Sequence, residues 1–146
     1  QPPMATPRPS TPVPTPPMVA GQFLWPVSGQ VVQRFGASKD GDERSDGIEI
    51  AVPRGTPIRA TADGTVAYAG NAIRSLGNLV IIKHGDSWVS IYGHADRLMV
   101  KRDQRVRKGE TIALSGDSGE TDRPALHFEL RKGRNPVDPL TQLPRG

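Results

Sequence analysis

Residues 124–131, near the C-terminal end, alternate strictly between apolar and other side chains. On a β-strand this period places successive residues on opposite faces. The face predicted to meet a core carries Leu126, Phe128 and Leu130. The opposite face carries Ala125, His127, Glu129 and Arg131. Large apolar neighbours buried on one face hold the backbone firmly. The pattern therefore predicts a strand that holds the His127 side chain in a fixed direction, as a functional site requires.

Short apolar or alternating runs recur through the rest of the chain, separated by turns rich in Gly, Pro and Asp. They cover residues 29–36, 48–51, 58–60, 65–69, 79–82, 88–92 and 111–114. Asp63-Gly64 predicts a hairpin between the strands on either side of it, and residues 95–100 are predicted to hold one helical turn. Because no window shows a helical apolar period longer than about two turns, we expect an all-β fold, an antiparallel β-sandwich or open barrel.

The first 22 residues differ in composition from the rest. Eight of the fifteen prolines lie within the first twenty residues, mixed with Thr, Ser, Ala and Gln. Such a segment buries too little apolar surface to offset the entropy of ordering it. Residues 1–22 are therefore predicted to be a disordered, polyproline-biased linker, with a docking site for a proline-reading domain as the alternative. Residues 23–144 are predicted to form one folded domain.

Composition and charge exclude several classes of site. The chain has no cysteine, which excludes disulfides, thiolate zinc sites and a cysteine nucleophile. It has no apolar run of transmembrane length and no signal peptide, and because it begins at Gln1 we expect any targeting segment to lie upstream. The net charge of +4 favours an acidic partner or an anionic polymer without requiring nucleic acid. The basic run of residues 101–108 has no interleaved aromatic side chains for base stacking, which favours a solvated loop or edge.

Three histidines and one carboxylate are the candidate functional groups. His84 follows an apolar run and precedes a turn, which favours a turn-capping or surface role. Strand periodicity predicts that His94 shares a face with Tyr92, and that Glu49 points away from the core. A carboxylate and imidazoles on separate strands are the side chains of which catalytic zinc sites are made. Each histidine taken alone has a structural, hydrogen-bonded role as its alternative.

A series of short motifs follows in a fixed order through residues 47–130. They are Gly47-Ile48-Glu49-Ile50-Ala51, Pro53-Arg54-Gly55-Thr56-Pro57-Ile58, Ala62-Asp63-Gly64-Thr65-Val66, Gly77-Asn78-Leu79-Val80-Ile81-Ile82-Lys83-His84-Gly85, Tyr92-Gly93-His94, Val106-Arg107-Lys108-Gly109, Gly116-Asp117-Ser118-Gly119 and Leu126-His127-Phe128-Glu129-Leu130. Together they resemble the LytM domain of the M23 zinc metallopeptidases. The resemblance covers roughly residues 23–144 and implies the β fold of that family.

The resemblance also implies roles for individual positions. Active members of the family cleave peptide cross-links in bacterial cell walls, with zinc held by a His-x-x-x-Asp pair and by the second His of a His-x-His. Here the first ligand falls on Ser45, the Asp ligand on Glu49, and the first His of His-x-His on Ala125. His127 keeps a ligand position, and His94 keeps a position that assists the chemistry. A catalytic zinc needs three protein ligands and a neutral hydroxyl is a poor one, so we expect no cofactor and no peptidase activity.

In this interpretation Ser45, Glu49 and His127 are vestigial metal positions, and the domain resembles the murein hydrolase activators of Gram-negative bacteria, the NlpD, EnvC and DipM type. The resemblance implies that the groove binds and switches on a wall hydrolase, an N-acetylmuramoyl-L-alanine amidase, during septal splitting in the periplasm. The residues expected to line the partner-binding groove are Ser45, Glu49, Tyr92, His94, Ala125 and His127. Two other functions remain open on the sequence, a zinc metalloendopeptidase and a passive peptidoglycan-binding module.

Overall fold

The computed structural model describes residues 23–36, 46–119, 121 and 123–144. The predicted linker of residues 1–22 and the predicted site residue Ser45 lie outside this part of the chain. Among the described residues, no helix has the length and apolar character needed to span a membrane. The strands are β1 (Gln30–Gln33), β2 (Ile48–Ala51), β3 (Pro57–Arg59), β4 (Gly64–Gly70), β5 (Asn78–Lys83), β6 (Trp88–Leu98), β7 (Arg105–Val106), β8 (Thr111–Ser115), β9 (Ala125–Lys132) and β10 (Asn135–Val137), followed by a 3-10 helix at Pro139–Thr141.

All ten strands belong to one antiparallel sheet. Its main order is β1-β2-β9-β6-β5-β4-β7, with β10 beside β9 and with β8 pairing both β6 and β3. The sheet is open rather than closed on itself. The predicted all-β, antiparallel and open fold is therefore confirmed.

Strand β9 lies at the centre of the sheet, between β2 and β6. Its apolar face behaves as the alternation predicts, because Leu126, Phe128 and Leu130 are completely buried. They share one core cluster with buried side chains of seven other strands, among them Ile48, Ile50, Ile58, Val66, Val80, Ile82, Tyr92, Val106 and Ile112. The opposite face of β9 is also largely covered, so that His127 and Glu129 are buried polar groups that need partners within the protein.

Two local predictions are wrong. The hairpin expected at Asp63-Gly64 does not form, because β3 pairs with β8 while β4 pairs with β5 and β7. The backbone of Ala60 explains this difference: its N–H donates to Glu110 O at 2.9 Å and its carbonyl accepts from Gly109 N at 2.9 Å. Nor do residues 95–98 form a helical turn, since they are the last residues of β6.

Strand β6 changes its partner halfway along its length. Residues up to Gly93 pair with β9, where Gly93 lies opposite His127. From Ala95 onward the strand pairs with β8, beginning opposite Ser115. The sheet therefore forks at His94, and β8 and β9 diverge from this point.

His84 is buried in a continuous hydrogen-bonded chain, which corrects the predicted surface role. Its Nδ1 lies 2.7 Å from the carbonyl oxygen of Asp63, and its Nε2 lies 2.7 Å from Ser90 Oγ. A carbonyl only accepts, so Nδ1 carries the hydrogen and Nε2 accepts from Ser90. Ser90 in turn accepts from the Tyr92 hydroxyl at 2.7 Å, and Tyr92 accepts from Thr61 N at 3.0 Å. The neutral imidazole satisfies every group in this chain.

The burial of His84 predicts a pH-dependent stability. Burial lowers the pKa of its imidazole from the ordinary value. The unfolded chain takes up a proton at this residue below about pH 6.5, whereas the folded protein resists it, so the stabilisation by neutral His84 is lost as pH falls below that value. Urea unfolding of wild type and His84→Gln should show a stability difference that shrinks from about pH 7.5 to about pH 5. A difference that stays constant across this range would contradict a neutral buried imidazole.

Candidate functional site

Three adjacent strands bring the candidate residues together. Glu49 on β2 lies directly opposite His127 on β9, and His127 lies opposite Gly93 on β6. Residues directly opposite one another project from the same face of a sheet. Glu49 and His127 therefore share the face that points away from the core, as the sequence predicted.

His94 reaches this face through an irregularity in β6. Tyr92 and Ala95 are both fully buried in the core although they are three residues apart, so the alternation is broken between them. His94 has a left-handed backbone with φ of 65°. The pairing of β6 with β5 shifts register between Tyr92 and Ala95, and its pairing with β8 shifts just beyond, between Ala95 and Arg97. Such bulges re-aim side chains. The prediction that His94 shares a face with Tyr92 is wrong, because His94 turns to the side of Glu49.

The three side chains form a compact cluster. Glu49 Oε2 lies 3.6 Å from His94 Nε2 and 3.6 Å from His127 Nδ1, and one ligand atom from each residue lies within 4.8 Å of the others. The two imidazole rings meet edge to face, with centroids 5.9 Å apart. The Glu49 carboxylate therefore lies between two imidazoles, each beyond ordinary hydrogen-bond length.

The orientation of His127 is fixed by a buried ion-pair network. Its Nε2 lies 2.7 Å from Glu129 Oε2. The other oxygen of Glu129 accepts from Arg131 at 2.9 Å and 3.1 Å, and Arg131 lies 3.6 Å from Asp46. Nε2 therefore carries a hydrogen, and Nδ1 is the nitrogen that faces Glu49. That Nδ1 is buried and has no hydrogen-bond partner among the described residues.

Two loops hold His94 in place. Its Nδ1 lies 2.8 Å from the carbonyl oxygen of Ser118, so Nδ1 carries a hydrogen and Nε2 faces the cluster. Its backbone N–H donates to Leu76 O at 2.6 Å. The loops touch each other through glycines, because a Cβ on Gly119 would lie 2.5 Å from the backbone nitrogen of Gly77. The close contact of residues 73–77 with residues 116–119 therefore requires glycine and sets the position of the imidazole.

The charges of the cluster shift several pKa values. The imidazoles of His127 and, secondly, His94 lower the pKa of Glu49 to about 2. Burial alone would lower the pKa of His127, but its hydrogen bond to Glu129 and its closeness to Glu49 outweigh burial and raise that pKa to about 9. Burial opposes ionisation of Glu129 as well, yet His127 and Arg131 lower its pKa overall. In the metal-free protein the cluster thus favours a protonated His127 between two carboxylates.

The structure revises the predicted groove. Glu49, His94 and His127 come together, but Tyr92 does not join them: it is completely buried in the core, and its ring packs 5.4 Å from that of Phe128. The prediction that Tyr92 lines the groove is therefore wrong. Ala125 is on the face of His127 but is buried, and its N–H donates to Gly116 O at 3.1 Å. Glu49, with its side chain 20% exposed, is the most accessible of the four.

Sequence reasoning missed two residues of the site. Glu129 lies on the same face as His127 and two residues further on, so strand periodicity alone contains the signal for their contact. The carbonyl of Ser118 has no comparable signal, because a backbone acceptor can be supplied by any residue type. Its role depends on the loop contact and on the bulge in β6.

The three side chains of the cluster fit a divalent metal such as zinc. Two imidazole nitrogens and one carboxylate oxygen are a known ligand set for zinc with an open fourth position. Each imidazole directs one nitrogen toward Glu49 while its other nitrogen is engaged by Ser118 or Glu129. The nitrogen of His127 that faces Glu49 would give up its proton to a metal, as metal-binding histidines do. When bound, such an ion supplies Lewis acidity. Ala125, two residues before His127 on the same strand face, contributes only a methyl group there.

Comparisons with known proteins agree on one family. The model for peptidase family M23 matches residues 43–139. The chain is 43% identical over 131 residues to the cell division protein DipM of Caulobacter vibrioides, and 46% identical over 136 residues to the murein hydrolase activator NlpD of Escherichia coli. A crystal structure of a zinc containing peptidase from Vibrio cholerae superposes with a TM-score of 0.76 and 31% identity, over 86% of this chain and 41% of that one.

These matches cover the chain much more fully than they cover the relatives. The alignments span 86% of this chain but 21% of DipM, and 93% of this chain but 33% of NlpD. The similarity therefore concerns one domain of longer proteins.

Proposed function

The chain belongs to peptidase family M23, and we propose that it is a non-catalytic member that binds and activates a peptidoglycan hydrolase, an N-acetylmuramoyl-L-alanine amidase. Its setting in this proposal is cell-wall remodelling and septum splitting during division, in the periplasm of a Gram-negative bacterium. Relatives named murein hydrolase activator and cell division protein support this assignment.

The observation that carries the proposal is the methyl group of Ala125. It lies on the face of β9 that holds His127, two residue pairs away from the pairing of His127 with Glu49. The family resemblance implies an imidazole at this position in active members. A general base or acid typically contributes a factor of about 10²–10⁴ in rate, and alanine has no group that takes or gives a proton. A peptidase built on this face would lack that contribution.

Activation follows from binding one of two states of the amidase. In the proposed mechanism the amidase has a segment that covers its own active site, and the domain binds the state in which this segment is displaced. A ligand shifts an equilibrium by its difference in affinity for the two states. The partner would contact the accessible edge of Glu49 and the neighbouring loop of residues 73–77, since His94 and His127 are buried below them.

The direct test is an amidase assay on dye-labelled wall sacculi. Adding the domain to its cognate amidase should raise dye release, while the domain alone should release none. The loop of residues 73–77 offers a variant that leaves the core intact, because Ile73 is an apolar side chain with 44% exposure in the loop whose Leu76 carbonyl accepts from His94 N. Ile73→Asp should reduce activation by about tenfold, the effect of losing about 1.4 kcal/mol of binding.

Met99→Asp is the matched control, because Met99 is an apolar residue with 51% exposure outside the two loops that hold His94. This variant should activate as the wild type does. If both variants activate normally, the loop is not the contact surface. If the wild-type domain itself leaves the amidase rate unchanged, the proposed activation is wrong.

A zinc metalloendopeptidase is the second candidate, and the cluster of Glu49, His94 and His127 is the observation in its favour. It requires chelator-sensitive release of wall peptides by the domain alone, with no amidase present. A passive peptidoglycan-binding module is the third, and it requires sedimentation with sacculi without any effect on amidase rate. The same preparation of protein distinguishes all three.

A further inference from the structure

We propose that Glu49, His94 and His127 bind a zinc ion as a three-ligand site, in which His94 is the third ligand where the family pattern places one at position 45. This site goes beyond the proposed function, which requires no metal. It also differs from the ligand set that the family resemblance implies, because His94 stands at a position expected to assist chemistry rather than to bind the metal.

The donor atoms are spaced as such a site requires. Two zinc–ligand bonds of about 2.0–2.1 Å at a tetrahedral angle place their donor atoms roughly 3.4 Å apart. Glu49 Oε2 lies 3.6 Å from His94 Nε2 and 3.6 Å from His127 Nδ1. The two imidazole nitrogens lie within 4.8 Å of each other. The three donors must therefore move closer together by side-chain rotation to share one ion.

The second, independent observation is the state of the two imidazoles. His127 is only 8% exposed, and its Nδ1 has no hydrogen-bond partner among the described residues although it faces the cluster. Its other nitrogen donates to Glu129, and the other nitrogen of His94 donates to the carbonyl of Ser118. Metal-binding histidines characteristically have such a partner, which fixes the ring and leaves the opposite nitrogen for the ion.

The ligand set defines what the ion can do. With both imidazoles bound to the metal, neither is available as a base, and Ala125 supplies none. The ion would instead connect three strands, since Glu49 belongs to β2, His127 to β9 and His94 to β6. A metal that binds only the folded state stabilises it in proportion to RT ln(1 + [M]/Kd). We therefore assign the site a stabilising role at the fork of the sheet.

Metal binding is measured directly on the full chain after treatment with a chelator. Titration with zinc followed by calorimetry should give one ion per chain, and zinc should raise the thermal unfolding midpoint. Cobalt serves as the spectroscopic probe, because absorption bands of a low-symmetry Co²⁺ site with nitrogen ligands report the imidazoles. Absence of stoichiometric binding of either ion would overturn the proposal.

Two variants test the ligand set. His94→Asn keeps a residue that tolerates the left-handed backbone, and Glu49→Gln keeps the shape of the carboxylate. Losing even the hydrogen-bond partner of a ligand costs about 10–100-fold in affinity, so each variant should weaken zinc binding by about tenfold or more. Circular dichroism and urea unfolding of the metal-free variants establish that each is folded.

Ser45→Ala and Glu110→Gln are the matched controls. The first removes the hydroxyl at the position of the expected family ligand, and the second removes an exposed carboxylate whose hydrogen bond lies within its own turn. Both should bind zinc as the wild type does. If Ser45→Ala weakens binding while His94→Asn does not, the ligand set is that of the family and the proposal is wrong. Amidase activation plays no part in these measurements, so their outcome is independent of the proposed function.

Discussion

Replacement of Glu129 by alanine is expected to lower the free energy of unfolding by about 3–5 kcal/mol, the usual cost of removing one partner from a buried ion pair. Glu129 accepts from His127 at 2.7 Å and from Arg131 at 2.9 Å, and its side chain is 8% exposed. Its removal leaves an imidazole nitrogen buried without an acceptor and an arginine without its main partner. Urea unfolding measures this loss. The m-value, which is the dependence of the free energy of unfolding on urea concentration, should be the same in the variant and the wild type.

Asp46→Ala is the matched control for this prediction. Asp46 contacts the same arginine at 3.6 Å, but its side chain is 54% exposed. Exposed ion pairs contribute little because solvent screens them, so this variant should change stability by less than about 0.5 kcal/mol. Glu129→Gln keeps an acceptor and should fall between the two. Equal, small effects of Glu129→Ala and Asp46→Ala would show that the network does not stabilise the fold.

Phe128→Ala is the other substitution with a large expected effect, a loss of about 3–5 kcal/mol. Phe128 is completely buried and lies directly opposite Ile48 on one neighbouring strand and Tyr92 on the other. Truncation leaves a cavity between three strands, which the rigid sheet cannot close. Phe128→Leu keeps most of the volume and should cost less than about 1.5 kcal/mol.

Val32→Ala is the control for the core substitution, because Val32 is 41% exposed on β1. It should change the free energy of unfolding by less than about 0.5 kcal/mol. Thermal and urea unfolding of the three variants give the comparison. A loss below about 1 kcal/mol for Phe128→Ala would mean that the sheet repacks around the missing ring.

Sequence patterns predict this fold best where the backbone is regular. The alternation on β9 places Leu126, Phe128 and Leu130 in the core and His127 on the other face. Because β9 is paired with a strand on each side, it cannot turn about its own axis. The ordered motifs carry the family resemblance, and the match of the family model to residues 43–139 agrees with it. Glu49 was placed correctly for the same reason, as it lies in a short regular strand beside β9.

The same rule of alternation fails at His94. A period of two residues requires Tyr92 and His94 to share a face. The left-handed backbone of His94 breaks this alternation, so that its side chain points to the opposite face from that of Tyr92. Tyr92 therefore enters the core, and His94 the cluster. No local pattern reveals this, because the bulge depends on β6 changing its partner from β9 to β8 and on two loops distant in sequence. The hairpin predicted at Asp63-Gly64 does not form for a related reason, because β3 pairs with β8, a strand distant in sequence.

The support of His94 by backbone groups has an evolutionary consequence. The carbonyls of Leu76 and Ser118 and the glycines of their loops fix the position of His94, and the supporting group in each contact belongs to the backbone. Substitutions elsewhere on this face, such as at position 125, could therefore accumulate in a lineage without moving His94. The scaffold and the side chains that it presents are separately heritable in such a domain.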